Sequence, residues 1–334
     1  MKKFKTTQIN LLNYLSDTAC HSVDTLSKIL QISNSTLLTQ IKQLIKLGVP
    51  IEQVPNQGYR LKNPITLLNE ERIQKELSLK HFINPIKLHL LASIDSTNRQ
   101  LKEIASSGLI DVCCAETQTA GRGRFGRHWH SPFGENIYCS SRWHFFCDLP
   151  QLAGLSLVVS LAILATLNDL GIKDFIQIKW PNDILWHDKK LCGNLIEVIT
   201  ESNHRVDVVI GIGLNVNSPP SKDKPWCSLL DITGKHIDRN VIIANLIAQL
   251  SQHLQTFIEQ GFEKFMTDWR LNDYLYGKSI TISHPTGTLN GIAQGVNEGG
   301  QLILLDKMGE THTLSSGDSS LNQMAFSDIY QPPG

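Results

Sequence analysis

Residues 121–127 read Gly-Arg-Gly-Arg-Phe-Gly-Arg. The first six match GxGxxG, the pattern that opens the phosphate-binding helix of a dinucleotide-binding fold. That fold needs a helix straight after the last glycine. Here the chain continues Arg127-His-Trp-His-Ser-Pro132-Phe-Gly134, and proline, glycine and aromatics open a helix poorly. GxxxxGK[ST] is absent, so a Walker-type phosphate loop is excluded too. What remains is a mobile loop whose glycines free backbone N–H groups and whose Arg122, Arg124 and Arg127 concentrate positive charge. Such a loop suits an anion. Taken alone, it reads equally well as an arginine-rich surface loop with no ligand.

Outward from this loop, strand and helix patterns alternate. Apolar and β-branched runs predict strands at 86–91, 112–116, 137–143, 176–180, 194–199 and 208–215, and helices at 96–106, 150–170 and 242–260. A mixed sheet backed by helices follows. The uncharged stretch 149–167 is long enough for a membrane span. It holds Pro150, Gln151, Ser156 and Ser160 between strand-like segments, so a buried helix ending at Gly171 is the expectation. Met1-Lys-Lys-Phe-Lys-Thr-Thr-Gln8 lacks the apolar core of a signal peptide. The seven cysteines have no CxxC spacing, which predicts free thiols in a reducing cytoplasm. No His/Cys cluster has metal-ligand spacing.

Upstream, residues 6–62 read as helix, helix, turn, helix, hairpin. Ile9, Leu11, Leu12 and Leu15 mark the apolar face of the first helix. Val23, Leu26, Ile29 and Leu30 mark the second, with Ser22 as cap. Leu37, Ile41, Leu44 and Ile45 mark the third, capped by Ser33 and ended by Gly48. Gln31-Ile32 alone separates the second helix from the cap of the third, the spacing of a helix-turn-helix. Ile51-Glu-Gln-Val54 and Tyr59-Arg-Leu61 flank Pro55-Asn-Gln-Gly58 as a two-stranded wing. Beside the Ser33 cap, the third helix is expected to show solvent Asn34, Ser35, Thr36, Thr39, Gln40, Gln43 and Lys46. Asn and Gln can pair with adenine edges, and Lys with phosphate or guanine. That helix has no arginine. Residues 1–65 carry eight Lys/Arg against three Asp/Glu, a net of +5, and since the chain totals zero the remainder is −5. A basic module on an acidic body fits nucleic-acid contact. A helical domain that merely docks a protein partner is the plainer alternative.

After Asn63-Pro64 a connecting helix is predicted over 67–80. From Asp273 the texture changes to short strands at 279–283, 291–296, 302–305 and 311–314, joined by turns such as Asn297-Glu-Gly-Gly300. That pattern predicts a small barrel-like β domain.

A second constellation closes the strand at 176–180. Pro181-Asn182-Asp183 turns sharply after Lys179-Trp180, and strand ends are where α/β proteins place ligands. Asp183 can hold magnesium or orient a cation, unless the segment is a plain Asx turn. Downstream, Lys190 precedes Leu191-Cys-Gly193, and a glycine there lets a ligand approach the backbone.

Ser96-Thr-Asn98, Gln118, the 121–127 loop, Ser131-Pro-Phe-Gly134, Lys179-Trp-Pro-Asn-Asp183, Lys190-Leu-Cys-Gly193 and Gly211-Ile-Gly-Leu-Asn215 occur together. Their order and approximate spacing resemble the biotin–protein ligase family over nearly the whole chain. With the winged-helix start, the chain looks like the bifunctional form, a ligase that is also the biotin operon repressor. The resemblance implies an α+β chain in three parts. These are an N-terminal winged helix-turn-helix at 1–64, a central mixed-sheet α/β ligase domain of the biotin/lipoate ligase type at 65–272, and a small SH3-like β-barrel at 273–334. It implies biotin, ATP and Mg2+ as ligands and biotinyl-5′-AMP as intermediate. The implied partners are the biotin carboxyl carrier protein of acetyl-CoA carboxylase, operator DNA of the biotin operon and a second copy of the chain; no membrane is implied.

By position, the resemblance puts Ser96, Thr97, Asn98, Gln118, Gly121, Gly193 and Gly211 around biotin. Arg122 and Arg124 would hold the biotin carboxylate and the adenylate. Arg127, Trp129, Lys179, Asn182, Asn215 and Trp226 would meet adenylate or ATP. Lys190 and Arg124 would act at the reacting carboxylate and phosphate. Asp183 would serve the incoming amine as base or orienter, or orient Lys190 alone, and magnesium would lie near Asn182 and Asp183. The chain departs from the pattern at three places. Asn194 stands where the family usually has an apolar residue, which predicts a polar group in the biotin pocket wall. The segment 315–322 lacks an arginine often found beside it, and the recognition helix is weakly basic for a repressor. A lipoate–protein ligase and a catalytically inactive biotin-sensing repressor are the competing readings.

Overall fold

The computed structural model of the chain describes residues 3–202, 204–220, 225–284 and 287–321. Residues 1–2 of the first expected segment, 203 and 221–224 of the second, and 285–286 and 322–334 of the third lie outside the described residues. The chain divides into two compact units. One comprises Met1–Trp143, Val208–Asp223 and Ser228–Ala244; the other comprises His144–Asp207, Lys224–Cys227 and Asn245–Gly334.

The first unit opens with helices α1 (Thr6–Leu15), α2 (Val23–Leu30) and α3 (Asn34–Lys46), then the hairpin β1 (Ile51–Val54) and β2 (Gly58–Leu61). Ser22 and Ser33 accept the N–H groups of Thr25 and Thr36, capping α2 and α3 as their sequence predicts. All three apolar faces differ from expectation at one position or more. In α1 the buried set is Gln8, Leu11, Leu12 and Leu15, and in α3 it is Leu37, Gln40, Ile41 and Leu44. Each is a single i, i+3, i+4, i+7 stripe. Ile9 and Ile45 fall outside those stripes and face solvent, as does Ile29 of α2, whereas Gln40 is buried. The wing is fastened to the start of α2: His21 and Tyr59 exchange both backbone hydrogen bonds, at 3.0 and 2.9 Å. Gly58 has φ +125°, and a Cβ there would lie 1.9 Å from the His21 carbonyl oxygen, so glycine is required.

The core of this winged helix includes Ile65 and Phe133, and Phe4 meets the Phe133 ring edge-on at 6.0 Å. The chain then forms α4 (Glu70–Leu79), β3 (Ile86–Leu91), α5 (Thr97–Glu103), β4 (Ile110–Ala115) and β5 (Ile137–Phe145). β3 and β4 pair in parallel, and β4 and β5 antiparallel, so the sheet is mixed. A parallel bridge from Ile94 to Gln118 carries the β3–β4 pairing past both strand ends. Beneath it lies a buried ion pair. Arg239 Nη2 lies 2.6 Å from Glu116 Oε2, with the two side chains 1% and 3% exposed. Arg239 also donates to the carbonyls of Thr66 and Asn136, and Glu116 accepts the Leu68 N–H. These bonds anchor the segment leaving the winged helix to the end of β4.

In the second unit, the uncharged stretch breaks at Gly154 (φ +84°) into a 3-10 turn, Leu149–Leu152, and helix α6, Leu155–Asp169. The stretch is long and apolar enough to cross a membrane, but most of it is buried inside the fold. β6 (Ile176–Lys179), β7 (Asp183–Trp186) and β8 (Lys189–Ser202) follow as adjacent antiparallel strands. β8 is much longer than the expected 194–199, and β7 was hidden inside what reads as a turn. β9 (Arg205–Leu214) ends in the first unit, beside β5. After α7 (Leu229–Thr233), α8 (Arg239–Gln260) and α9 (Met266–Asn272) come β10 (Ser279–His284), β11 (Gly287–Val296), β12 (Leu302–Leu305), β13 (Thr311–Leu314) and β14 (Asp318–Leu321). These last five form an antiparallel sheet ordered β13-β12-β11-β10-β14. Among the described residues no β13–β14 pairing is formed, and the strand order is compatible with the expected small SH3-like barrel.

Candidate active site

The first unit gathers a polar cluster at the start of α5. Gln118 Oε1 accepts from the Thr97 N–H at 2.9 Å and from Thr97 Oγ1 at 3.1 Å, while its Nε2 donates to Ser131 Oγ at 3.3 Å. Ser140, buried on β5, lies 2.7 Å from Thr97 Oγ1 and donates to Asn98 Oδ1 at 2.6 Å. Ser96, Thr97 and Asn98 are all at least nine-tenths buried. Asn98 reaches over β9: a Cβ on Gly211 would lie 2.1 Å from Asn98 Oδ1. A Cβ on Gly121 would likewise meet the Trp129 carbonyl at 2.6 Å. The glycines leave room for neighbouring polar groups rather than for turns. A neutral set of amides and hydroxyls held in fixed orientation can satisfy a neutral, hydrogen-bonding ligand.

The arginine loop is a small hairpin rather than an open loop. Trp129 N–H reaches the Gly121 carbonyl at 2.9 Å, Gly123 N–H reaches that of Arg127 at 2.7 Å, and Arg122 bridges His128. A single 3-10 turn, Arg124–Gly126, forms the tip. There Phe125 has φ +54° and is 58% exposed, and the Arg124 guanidinium lies 5.0 Å from its ring centroid. The Trp129 indole lies against β9, 2.5 Å from where a Gly213 Cβ would be. Asn215 follows, its carbonyl accepting the Leu229 N–H.

The second unit places a charged pair on the β7–β8 hairpin. Lys190 Nζ lies 2.6 Å from Asp183 Oδ1. The two-residue turn His187-Asp188 has φ +43° and +66°, the sign that tight hairpin turns require at both central residues. In a regular strand, alternation would turn Lys190 and Gly193 to opposite faces. The register instead shifts between Ile184 and Leu185, which pair with Cys192 and Lys190. That bulge brings Lys190 to the face of Asp183 and Gly193. A Cβ on Gly193 would lie 3.2 Å from Lys190 Nζ and 3.3 Å from Asp183 Oδ1. The Lys190 backbone is held by Pro225 O and Cys227 N–H, at 3.1 and 3.0 Å, which sets Trp226 beside it. Burial pushes the Cys192 thiol far up, so it stays protonated and is no nucleophile.

Lys179, Asn182 and Asp183 all lie at the β6–β7 turn, which other parts of the unit grip. Trp180, 2% exposed, donates to the Gly300 carbonyl at 3.2 Å, and its own carbonyl accepts from Ser319 Oγ at 3.1 Å. Tyr274 Oη donates to Asp188 at 2.7 Å.

Residues 90–215 match the biotin/lipoate A/B protein ligase family, and residues 7–60 match the HTH domain. The bifunctional ligase/repressor BirA of Escherichia coli K12 is 33% identical over 307 residues, covering 90% of this chain and 93% of that protein. The chain belongs to the bifunctional ligase/repressor family. Its Bacillus subtilis member is 30% identical over 288 residues, covering 84% of this chain and 87% of that protein. Among solved structures, a biotin protein ligase from Aquifex aeolicus in complex with biotin and ATP is similar, with a TM-score of 0.61 and 30% identity. That likeness covers 71% of this chain and 99% of the other.

Of the residues that the family resemblance singles out, Ser96, Thr97, Asn98, Gln118, Gly121 and Gly211 form one connected group. Asp183, Lys190, Gly193 and Trp226 form another. Gln40 does not join the exposed residues of α3, because its side chain sits in the winged-helix core. Asn194 also differs from expectation. It is 3% exposed and turned toward α6, where Ser156 and Ser160 receive it. Sequence reading quoted Ser131 only as part of the segment 131–134, and it passed over Ser140 and the Glu116–Arg239 pair. Serines inside strands and lone charges distant in sequence carry no local signal. Asp306, Glu310 and His312 also approach one another, with ligand atoms within 4.8 Å, but Asp306 spends its oxygens on the Met308 and Glu310 N–H groups and on His312.

Proposed function

We propose that the chain is a biotin–protein ligase that activates biotin with Mg-ATP to biotinyl-5′-AMP and passes biotin to a lysine of a carrier protein. We propose too that it represses the biotin operon in response to biotin. The observation that carries the ligase reading is the Asp183–Lys190 pair at 2.6 Å over Gly193, in a chain of this family. In the first step the biotin carboxylate attacks the α-phosphate and pyrophosphate leaves. An anion meets an anion, so charge placement and positioning matter more than a base. Lys190 and Arg124 supply positive charge at the reacting carboxylate and phosphate, and Arg122 holds the carboxylate and then the adenylate. Ser96, Thr97, Asn98, Gln118, Gly121, Gly193 and Gly211 enclose biotin. Arg127, Trp129, Lys179, Asn182, Asn215 and Trp226 serve the nucleotide.

In the second step the acceptor lysine's amine attacks the acyl carbon, AMP leaves, and the amine gives up its proton. The close contact to Lys190 favours Asp183 as the residue that orients that lysine. The Asn182 and Asp183 side chains offer the hard oxygen donors that magnesium takes, and bound magnesium would neutralise phosphate charge. The hairpin at 121–129 covers the adenylate and shields its anhydride from water.

The reading extends to a cytoplasmic homodimer and to the biotin carboxyl carrier protein of acetyl-CoA carboxylase as acceptor. Biotin-operon operator DNA would be read by Ser33, Asn34, Ser35, Thr36, Thr39, Gln43 and Lys46. Its domains are 1–64, 65–272 and 273–334. The test is pyrophosphate release by the purified chain with Mg-ATP and either biotin or lipoate, with mass spectrometry of any retained adenylate. Release with lipoate alone would overturn the reading in favour of a lipoate ligase, and silence with both would leave a sensor without catalysis. A gel shift on the biotin operator, strengthened by biotin plus ATP, is expected for the repressor half.

A further inference from the structure

Asn194 lies next to Gly193 on β8, and strand alternation turns it to the opposite side from the Asp183–Lys190 pair, toward α6. Its side chain is fully engaged there. Nδ2 donates to Ser160 Oγ at 2.9 Å and to the Ser156 carbonyl at 3.3 Å, and Oδ1 accepts from Ser156 Oγ at 3.1 Å. Its backbone holds Asn182 from both sides: Asn194 N–H reaches the Asn182 carbonyl at 3.1 Å, and Asn182 Nδ2 reaches the Asn194 carbonyl at 2.7 Å. The Ser156 hydroxyl, shared with Asn194, also lies 2.8 Å from the Pro181 carbonyl. Three side chains therefore bind the turn 181–182 to the buried helix α6. The next residues along the two strands are Asp183 and Gly193, which are paired in register.

We propose that Asn194 is a positioning residue for the ligase reaction. With Ser156 and Ser160 it fixes the depth of the Pro181–Asn182 turn against α6, and so the placement of Asp183 and the Lys190 that Asp183 holds. The polar residue expected in the pocket wall is instead a clamp behind it. Asn194→Leu keeps the branched shape of the side chain but removes the amide, leaving the Ser156 and Ser160 hydroxyls to find other partners. The turn is then free to shift. A displacement of about 1 Å at reacting groups costs on the order of 100-fold in rate, so a fall in kcat of about 10- to 100-fold is expected, with KM for biotin within about twofold.

The inference rests on the ligase reading, and the experiment separates the two failures. Pyrophosphate release with biotin and Mg-ATP is measured for the wild-type chain, Asn194→Leu, Lys190→Ala and the double variant. A silent wild type fails the ligase reading itself. If Asn194 acts through the pair, adding Asn194→Leu to Lys190→Ala costs no further rate, because coupled residues are non-additive. A further fall equal to that of the single variant, or a single variant with wild-type kcat, overturns the proposal. If Asn194→Leu does not fold, Ser156→Ala takes its place in the same cycle. Asn194→Asp, which keeps the acceptor, is expected to recover part of kcat.

Discussion

Around Gln118 polar side chains bond to one another, whereas around Asp183 the backbone does most of the holding. In the first group, Gln118, Thr97, Ser131, Ser140 and Asn98 form one chain of hydrogen bonds. In the second, a two-residue turn, one bulge and a bridge to Trp226 set two opposite charges 2.6 Å apart. A side-chain network gives a neutral pocket its shape, since each amide and hydroxyl has its orientation dictated by the next. A backbone frame holds charges where they act without spending their own hydrogen bonds. Substitutions in the first group should therefore act on binding, and those in the second on turnover.

The largest effect is expected beneath the first group. Glu116→Ala removes the partner of a buried arginine that also ties down the winged-helix exit, at Thr66 O. Breaking such a pair costs about 3–5 kcal/mol. Urea unfolding should show that loss, and an unchanged midpoint would mean that the scaffold of the pocket lies elsewhere. Next comes Lys190→Ala, which removes positive charge from the phosphate step. A fall in kcat of roughly 10²- to 10³-fold is expected, with biotin affinity by calorimetry nearly kept. If affinity falls with kcat instead, the division between the groups breaks. Gly211→Ala sharpens it from the other side. The new methyl must push Asn98 off β9. A rise in KM for biotin of about tenfold with little change in kcat is expected, because uniform binding is what is lost.

The two groups also differ in how far the sequence displayed them. Capping serines, the wing and the α6 apolar run are local signals, and each is found within a few residues of its expected place. The helix faces went astray by one stripe at Ile9, Ile45 and Gln40, because a buried stripe can include a glutamine and exclude an isoleucine when the stripe's origin is set by packing. The loop at 121–129 reads as mobile because its glycines are visible, while the backbone pairing that closes it into a hairpin is not. The bulge in β8 has no sequence mark, so Lys190 reads as one more lysine after a turn until the register is known. Asn194 is the converse case. Its oddness is plain in the sequence, but its meaning depends on two serines 34 and 38 residues away.

The smallest effect concerns the base of β4, the strand that runs up to Glu116. Asp111 is buried opposite Arg142 in the β4–β5 register. Burial works to raise its pKa, but the Ser107 N–H, His89 and the Arg142 guanidinium more than offset that and hold it below the usual 3.8. A carboxyl depressed in the folded state contributes stability that is complete above its unfolded value. That contribution is lost as pH falls below 3.8 through the folded value. Asp111→Asn should thus melt lower than the wild type at neutral pH, with the gap narrowing as pH drops through that range. Pyrophosphate release at neutral pH should be unchanged, since the partners of Asp111, which are Ser107, His89 and Arg142, include no proposed site residue. A constant gap in melting temperature down to pH 3 would mean that Asp111 supports the strand by shape rather than by charge.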